Sequence, residues 1–112
     1  MECYLDNSAT TKPCKAAVDA EISALTELYG NPSSLHQKGV DAYMLLEKSR
    51  GTIAASLKAS PDEIYFTPCG TVSNNTAIFG AVGAKKRLGK KIVTTALEHP
   101  SVEKCMERLE ES

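Results

Sequence analysis

The sequence predicts an α/β fold: two N-terminal helices, then strand–helix–strand–helix with the strands parallel. Three observations carry this. Apolar residues recur at helical spacing through the first half of the chain. Two short β-rich runs follow, Ile64-Tyr65-Phe66-Thr67 and Ile92-Val93-Thr94-Thr95. An Ala-rich helical stretch lies between them, and strand, crossover helix and strand make a right-handed unit with parallel strands. Two strands are few for a covered parallel sheet, so the pattern reads as a piece of something larger.

The first helix is expected to start at Thr11-Lys12-Pro13, with Pro13 in the first turn, where its missing N–H does no harm. Val18, Ile22, Leu25 and Tyr29 carry its period, and Gly30-Asn31-Pro32 stops it. Residues 31–37 read as an ordered polar loop. A second helix is expected from about Gly39, with Val40, Tyr43, Met44, Ile53 and Leu57 as its apolar stripe. Ser60-Pro61-Asp62-Glu63 has capping-box spacing but precedes an extended run, so it reads as a single turn. Pro68 bounds the first β run, Pro68-Cys69-Gly70-Thr71 is a turn, and a helix is expected from about Ser73 to Leu88, closed by Gly89. Pro100-Ser101 opens the last helix, with Val102, Cys105, Met106 and Leu109 on one face. The expected division is a helical segment over 1–60 and the start of an incomplete α/β domain over 61–112.

Composition narrows the function. The chain has 112 residues, 42% apolar and 24% charged, with a net charge of −1. That balance argues against a general nucleic-acid binder, which needs a cationic excess. No apolar run approaches the roughly 20 residues that span a bilayer. The stretch Met1-Glu2-Cys3-Tyr4-Leu5-Asp6 lacks the basic and apolar regions of a secretory signal, so a cytoplasmic location is expected. Cys3, Cys14, Cys69 and Cys105 form no C-x-x-C pair, and free thiols rather than a zinc site or disulfides are expected.

Two segments can carry chemistry. At Cys69-Gly70-Thr71 a strand gives way to a helix, whose unpaired N–H groups and dipole favour an anion. Gly70 allows close backbone approach, and Thr71 and Ser73 offer hydroxyls. A phosphate site is one reading; an ordinary N-cap is the commoner reading of the spacing alone. Neither a Walker loop nor the dinucleotide fingerprint is present: the run Gly83–Lys91 has one residue too many between its glycines. Its lysines read as a solvated helix end. The second segment is Glu98-His99-Pro100, after the second β run. Both turns would then open on the carboxyl edge of one sheet, where α/β folds bind ligands. A ligand-facing and a structural His99 both remain open at this point. His36 reads as structural or interfacial.

These stretches resemble the N-terminal part of the pyridoxal-phosphate-dependent cysteine desulfurases of the class V aminotransferase group. The matching residues are Tyr4–Thr11, Gly30–His36 with Gly39, Phe66–Asn75 and Ile92–His99. The resemblance implies the N-terminal part of a fold-type I pyridoxal-phosphate-dependent transferase. It implies that Gly70 and Thr71 hold the cofactor phosphate, and that His99 stacks on the pyridine ring and serves as acid or base. Ala9 and Thr10 would lie near the substrate. The chain departs from the family pattern at three positions: Pro68 for a usual Ser, Cys69 for a usual Gly or Ser-Gly, and Val72 for a usual Glu.

The family also needs a Schiff-base Lys, a sulfur-accepting Cys and an Asp beside the pyridinium nitrogen. None of the ten lysines or four cysteines here matches those positions. The leading expectation is therefore a truncated cysteine desulfurase, inactive alone and not holding pyridoxal 5′-phosphate covalently. The whole enzyme would take sulfur from L-cysteine, giving alanine and an enzyme persulfide for iron–sulfur or thio-cofactor assembly. A homo-oligomer and a sulfur-acceptor protein are the implied partners, with no nucleic acid, membrane or metal. Selenocysteine lyase is an alternative within the family. A non-catalytic module that self-associates or pairs with a full-length partner, and a small phosphate-binding domain, are alternatives outside it. The β runs carry no charge to guard an edge, which favours truncation over an evolved module.

Overall fold

The structure is a computed structural model that describes residues 3–111; Met1, Glu2 and Ser112, at the limits of the expected 1–60 and 61–112 segments, lie outside the described residues. The chain divides into two compact units, the first ending at Ile64 and the second beginning at Tyr65.

The first unit contains α1 (Lys15–Thr26), α2 (Gln37–Leu57) and a 3-10 turn (Pro61–Glu63). Helix α1 begins later than expected. Cys14 is its extended N-cap, and Pro13 stands outside the helix. Ahead of it, the Ala9 and Thr10 amides donate to the Asp6 carbonyl at 3.2 and 3.3 Å. The Tyr4 hydroxyl lies 2.9 Å from the Thr10 carbonyl.

The loop between α1 and α2 is built on two glycines that face backbone. A Cβ on Gly30 would stand 2.0 Å from the Lys38 carbonyl oxygen. One on Gly39 would stand 2.2 Å from that of Ser34. Only glycine admits backbone this close. His36 is the N-cap of α2, its Nδ1 accepting from the Gly39 amide at 3.3 Å, which gives it a structural place. Lys38 Nζ donates to the Glu27 carbonyl at 3.1 Å and sits 5.2 Å from the centre of the Tyr29 ring, a cation–π distance. Helix α2 ends at Lys58, which takes the left-handed conformation (φ 55°). The Ser60-x-x-Glu63 turn forms as expected: the Glu63 carboxylate accepts from the Ser60 amide at 2.8 Å. Arg50 donates from α2 to the Ile64 carbonyl and pairs with Glu47 at 3.0 Å.

The apolar stripe expected to bury α2 does not do so. Gly39, Ala42 and Ala54 are its buried residues, whereas Val40, Tyr43, Met44, Ile53 and Leu57 are exposed. Val18, Ile22, Leu25 and Tyr29 of the α1 region are exposed as well. Periodicity identifies a face that wants cover, not the element that covers it.

The second unit contains α3 (Gly70–Lys85) and α4 (Pro100–Glu110), which pack on each other. Cys105 is 2% exposed, and Val102, Met106 and Leu109 are half-buried, so the expected face of α4 is the packed one. The two expected parallel strands are a correction. Residues 64–67 and 92–95 are not strands, and no strand occurs among the described residues. An extended segment becomes a strand only through a ladder with a neighbour. Neither segment has one, and Tyr65 and Val93 stand out in solvent.

Candidate functional site

The site grows from the start of α3. The helix begins at Gly70, three residues before the expected Ser73, so Gly70 and Thr71 form its first turn rather than a preceding turn. Cys69 is the N-cap, fully extended, and its side chain caps nothing. An uncapped first turn leaves N–H donors open at the positive end of the helix dipole. No acidic residue lies in that turn, since Val72 occupies the position where a Glu was the expected type. The Ser73 hydroxyl is not a free donor. It bonds the Thr67 hydroxyl and lies 3.4 Å from the Cys69 carbonyl. The Thr71 carbonyl accepts from Asn75 at 2.8 Å.

His99 is the N-cap of α4. Its Nδ1 accepts from the Ser101 amide at 3.1 Å and lies 2.8 Å from the Ser101 hydroxyl oxygen. Asn74, one turn into α3, donates from Nδ2 to that hydroxyl oxygen at 2.8 Å. The Asn74–Ser101 bond ties the starts of the two helices together. Between them lies an open cleft of about 360 Å³, lined by Gly70, Thr71, Asn74, His99 and Ser101.

The structure thus brings together Gly70, Thr71 and His99. Ala9 and Thr10 lie in the first unit, in the turn closed on Asp6. Asn74 and Ser101 were not singled out from the sequence. Asn74 stands four residues after Gly70, on the same helix face, and Ser101 two after His99, which is the local signal for both.

The donor set suits a phosphorylated aromatic ligand. A Cβ on Gly70 would meet nothing within 4 Å, so the space over the first turn is open to a ligand. Amide donors and the Thr71 hydroxyl suit a phosphate, and the His99 imidazole offers a flat face for a ring. All four cysteines are free thiols, with Cys3, Cys14 and Cys69 exposed. Among the described residues no group of three or more His, Cys, Asp or Glu is placed to hold a metal ion. No helix among them is long and apolar enough to cross a membrane.

Comparison with known proteins gives the family. The aminotransferase class-V family profile matches residues 3–112. A NifS/IcsS protein homolog of Lactobacillus delbrueckii subsp. bulgaricus is 50% identical over 107 residues, 96% of this chain and 28% of the relative. The cysteine desulfurase NifS of Azotobacter vinelandii is 45% identical over 102 residues, 90% of this chain and 25% of the relative. A solved structure described as a NifS-like protein superposes with a TM-score of 0.88 at 36% identity, covering 99% of this chain and 30% of that one. The chain spans about a quarter of the length of the curated relatives it matches. With its profile matched over nearly every residue, the chain belongs to the aminotransferase class-V family.

Proposed function

We propose that this chain is the N-terminal, phosphate-cradling part of a cysteine desulfurase. The family is pyridoxal-phosphate-dependent. One observation carries the reading: two motifs 28 residues apart, Gly70-Thr71 and His99, meet at one cleft on an uncapped helix start. In this reading the first-turn amides and the Thr71 hydroxyl hold the phosphate, and His99 lies against the pyridine ring. When bound, the cofactor supplies the electron sink that carbon–sulfur cleavage requires. His99 holds a proton at the ring nitrogen not bonded to Ser101, and Ala9 and Thr10 border the substrate. The covalent Lys, the sulfur-accepting Cys and the Asp partner come from sequence outside these 112 residues.

The whole protein then takes L-cysteine as substrate and passes sulfur toward iron–sulfur cluster assembly through an acceptor protein, as a cytoplasmic homo-oligomer. The relatives named NifS and IscS support that substrate class. The extended runs 64–67 and 92–95 become strands of the large-domain sheet when their neighbours are present.

A chimera tests this. Residues 3–111 replace the matching region of the Azotobacter vinelandii NifS, and alanine release from L-cysteine is followed. Retained turnover that falls at least a hundredfold in His99→Ala supports the proposal. A chimera that folds and binds the cofactor but releases no alanine refutes it. The 112-residue chain alone is expected to release none.

A further inference from the structure

Each bond of the network at the start of α4 constrains the next. Ser101 is 7% exposed, so water does not compete freely for its hydroxyl. That hydroxyl has one proton. Its oxygen accepts from Asn74 Nδ2 at 2.8 Å and lies 2.8 Å from His99 Nδ1. Nδ1 also faces the Ser101 amide at 3.1 Å, and an amide only donates. A protonated Nδ1 would set its hydrogen against that amide hydrogen. Nδ1 is therefore the lone-pair nitrogen, and the Ser101 proton has Nδ1 as its acceptor.

We infer that Asn74 and Ser101 are positioning residues that fix the neutral His99 imidazole as its Nε2–H tautomer. Asn74, hydrogen-bonded to Ser101, sets the direction of the hydroxyl. Ser101 then delivers two donors, amide and hydroxyl, to one nitrogen. Nε2 has no hydrogen-bond partner among the described residues, so the free ring nitrogen of His99, a residue that lines the cleft, is a donor rather than an acceptor. The choice of tautomer is commonly set by the bond at the other ring nitrogen. Its catalytic meaning rests on the proposed function, because only there does His99 face a cofactor. The tautomer itself does not.

The test uses the 15N-labelled chain without ligand, at a pH where the imidazole is neutral. Long-range proton–nitrogen correlations report which ring nitrogen carries hydrogen. The ring of His99 is assigned against His36 by its loss in His99→Gln. The expected wild-type pattern is a protonated Nε2 and a hydrogen-bonded, unprotonated Nδ1. Ser101→Thr keeps that pattern. Ser101→Ala shifts Nδ1 by several ppm toward the value of a less hydrogen-bonded nitrogen. Asn74→Asp does the same at a distance, because a carboxylate draws the Ser101 proton away from Nδ1 and is isosteric with the amide. Helix content by circular dichroism shows that each variant is folded. A wild-type ring protonated at Nδ1 overturns the inference. So does a folded Asn74→Asp whose Nδ1 resonance stays in place. Titration with pyridoxine 5′-phosphate, read separately, addresses the proposed function. Absent binding with the expected tautomer pattern contradicts the phosphate cradle at Gly70 and Thr71 and leaves the assignment of Asn74 and Ser101 supported.

Discussion

In residues 3–64 the tightest approaches are backbone on backbone, at Gly30 and Gly39, and the buried α2 side chains are alanines. In residues 65–111 a side-chain hydrogen bond, Asn74 to Ser101, joins α3 to α4, with His99 bonded to Ser101 and Cys105 buried beside it. The first arrangement tolerates no added atom at Gly30 or Gly39. The second keeps polar groups at an open cleft. Rigid loop geometry and chemical capacity are thus assigned to different stretches of one short chain. That explains why the ordered polar loop 31–37 holds a structural histidine while the exposed start of α3 and α4 holds the candidate site.

The largest expected effect breaks the first arrangement. Gly39→Ala puts a methyl 2.2 Å from one carbonyl oxygen and 2.8 Å from another, that of Asn31. Backbone cannot yield as a side-chain tip can, so a loss of about 3 kcal/mol is expected in urea unfolding. Gly51→Ala is the control. It lies inside α2 with nothing within 4 Å, and a gain of about 0.5–1 kcal/mol is expected.

Next comes the second arrangement. Thr71→Ala removes one donor to the phosphate without touching the α3–α4 packing. An affinity loss of about tenfold for pyridoxine 5′-phosphate is expected by calorimetry, the worth of one hydrogen bond to a charged group. Helix content stays the same. Cys105→Ala opens a small void where Sγ lies 3.1 Å from the Ser101 carbonyl, costing about 1 kcal/mol. Thiol labelling gives the same contrast: Cys3, Cys14 and Cys69 react in the folded chain, and Cys105 reacts only as it opens.

The smallest effect lies on the outer face of α4. Glu107, by hydrogen bond first and charge second, holds the Lys104 ammonium above the ordinary lysine range. A raised folded value stabilises fully below the unfolded value and is lost as pH climbs through the folded one. Any contribution is therefore present at neutral pH and fades only in strong alkali. Both side chains are exposed, and Lys104→Met is expected to leave the unfolding midpoint nearly unchanged at pH 7.

Much of this was legible locally. The four helices, the Ser60–Glu63 turn and the packed face of α4 follow from spacing and caps. Gly70, Thr71 and His99 stood out because small, hydroxyl and imidazole residues fall where helices start. What failed was non-local. The runs 64–67 and 92–95 have strand composition, yet pairing is a property of a neighbour that the segment does not encode. The exposed stripe Val40, Tyr43, Met44, Ile53 and Leu57 fails for the same reason. Helix α3 started early because an extended Cys69 lets Gly70 enter the helix directly, and Gly is a poor helix former by propensity. The Asn74–Ser101 bond spans 27 residues, beyond any local rule.

The central claim is that the start of α3 and His99 form one site for a phosphorylated pyridine. Amide and imidazole chemical shifts of the 15N-labelled chain test it most directly, titrated with pyridoxine 5′-phosphate and, in parallel, pyridoxine. Neither ligand carries an aldehyde, so lysines cannot trap it. The account expects saturable shifts at Gly70, Thr71 and the His99 ring with the phosphate ester, and far weaker shifts with pyridoxine. Shifts confined to Lys85, Lys86, Lys90 and Lys91, or equal responses to both ligands, would contradict it.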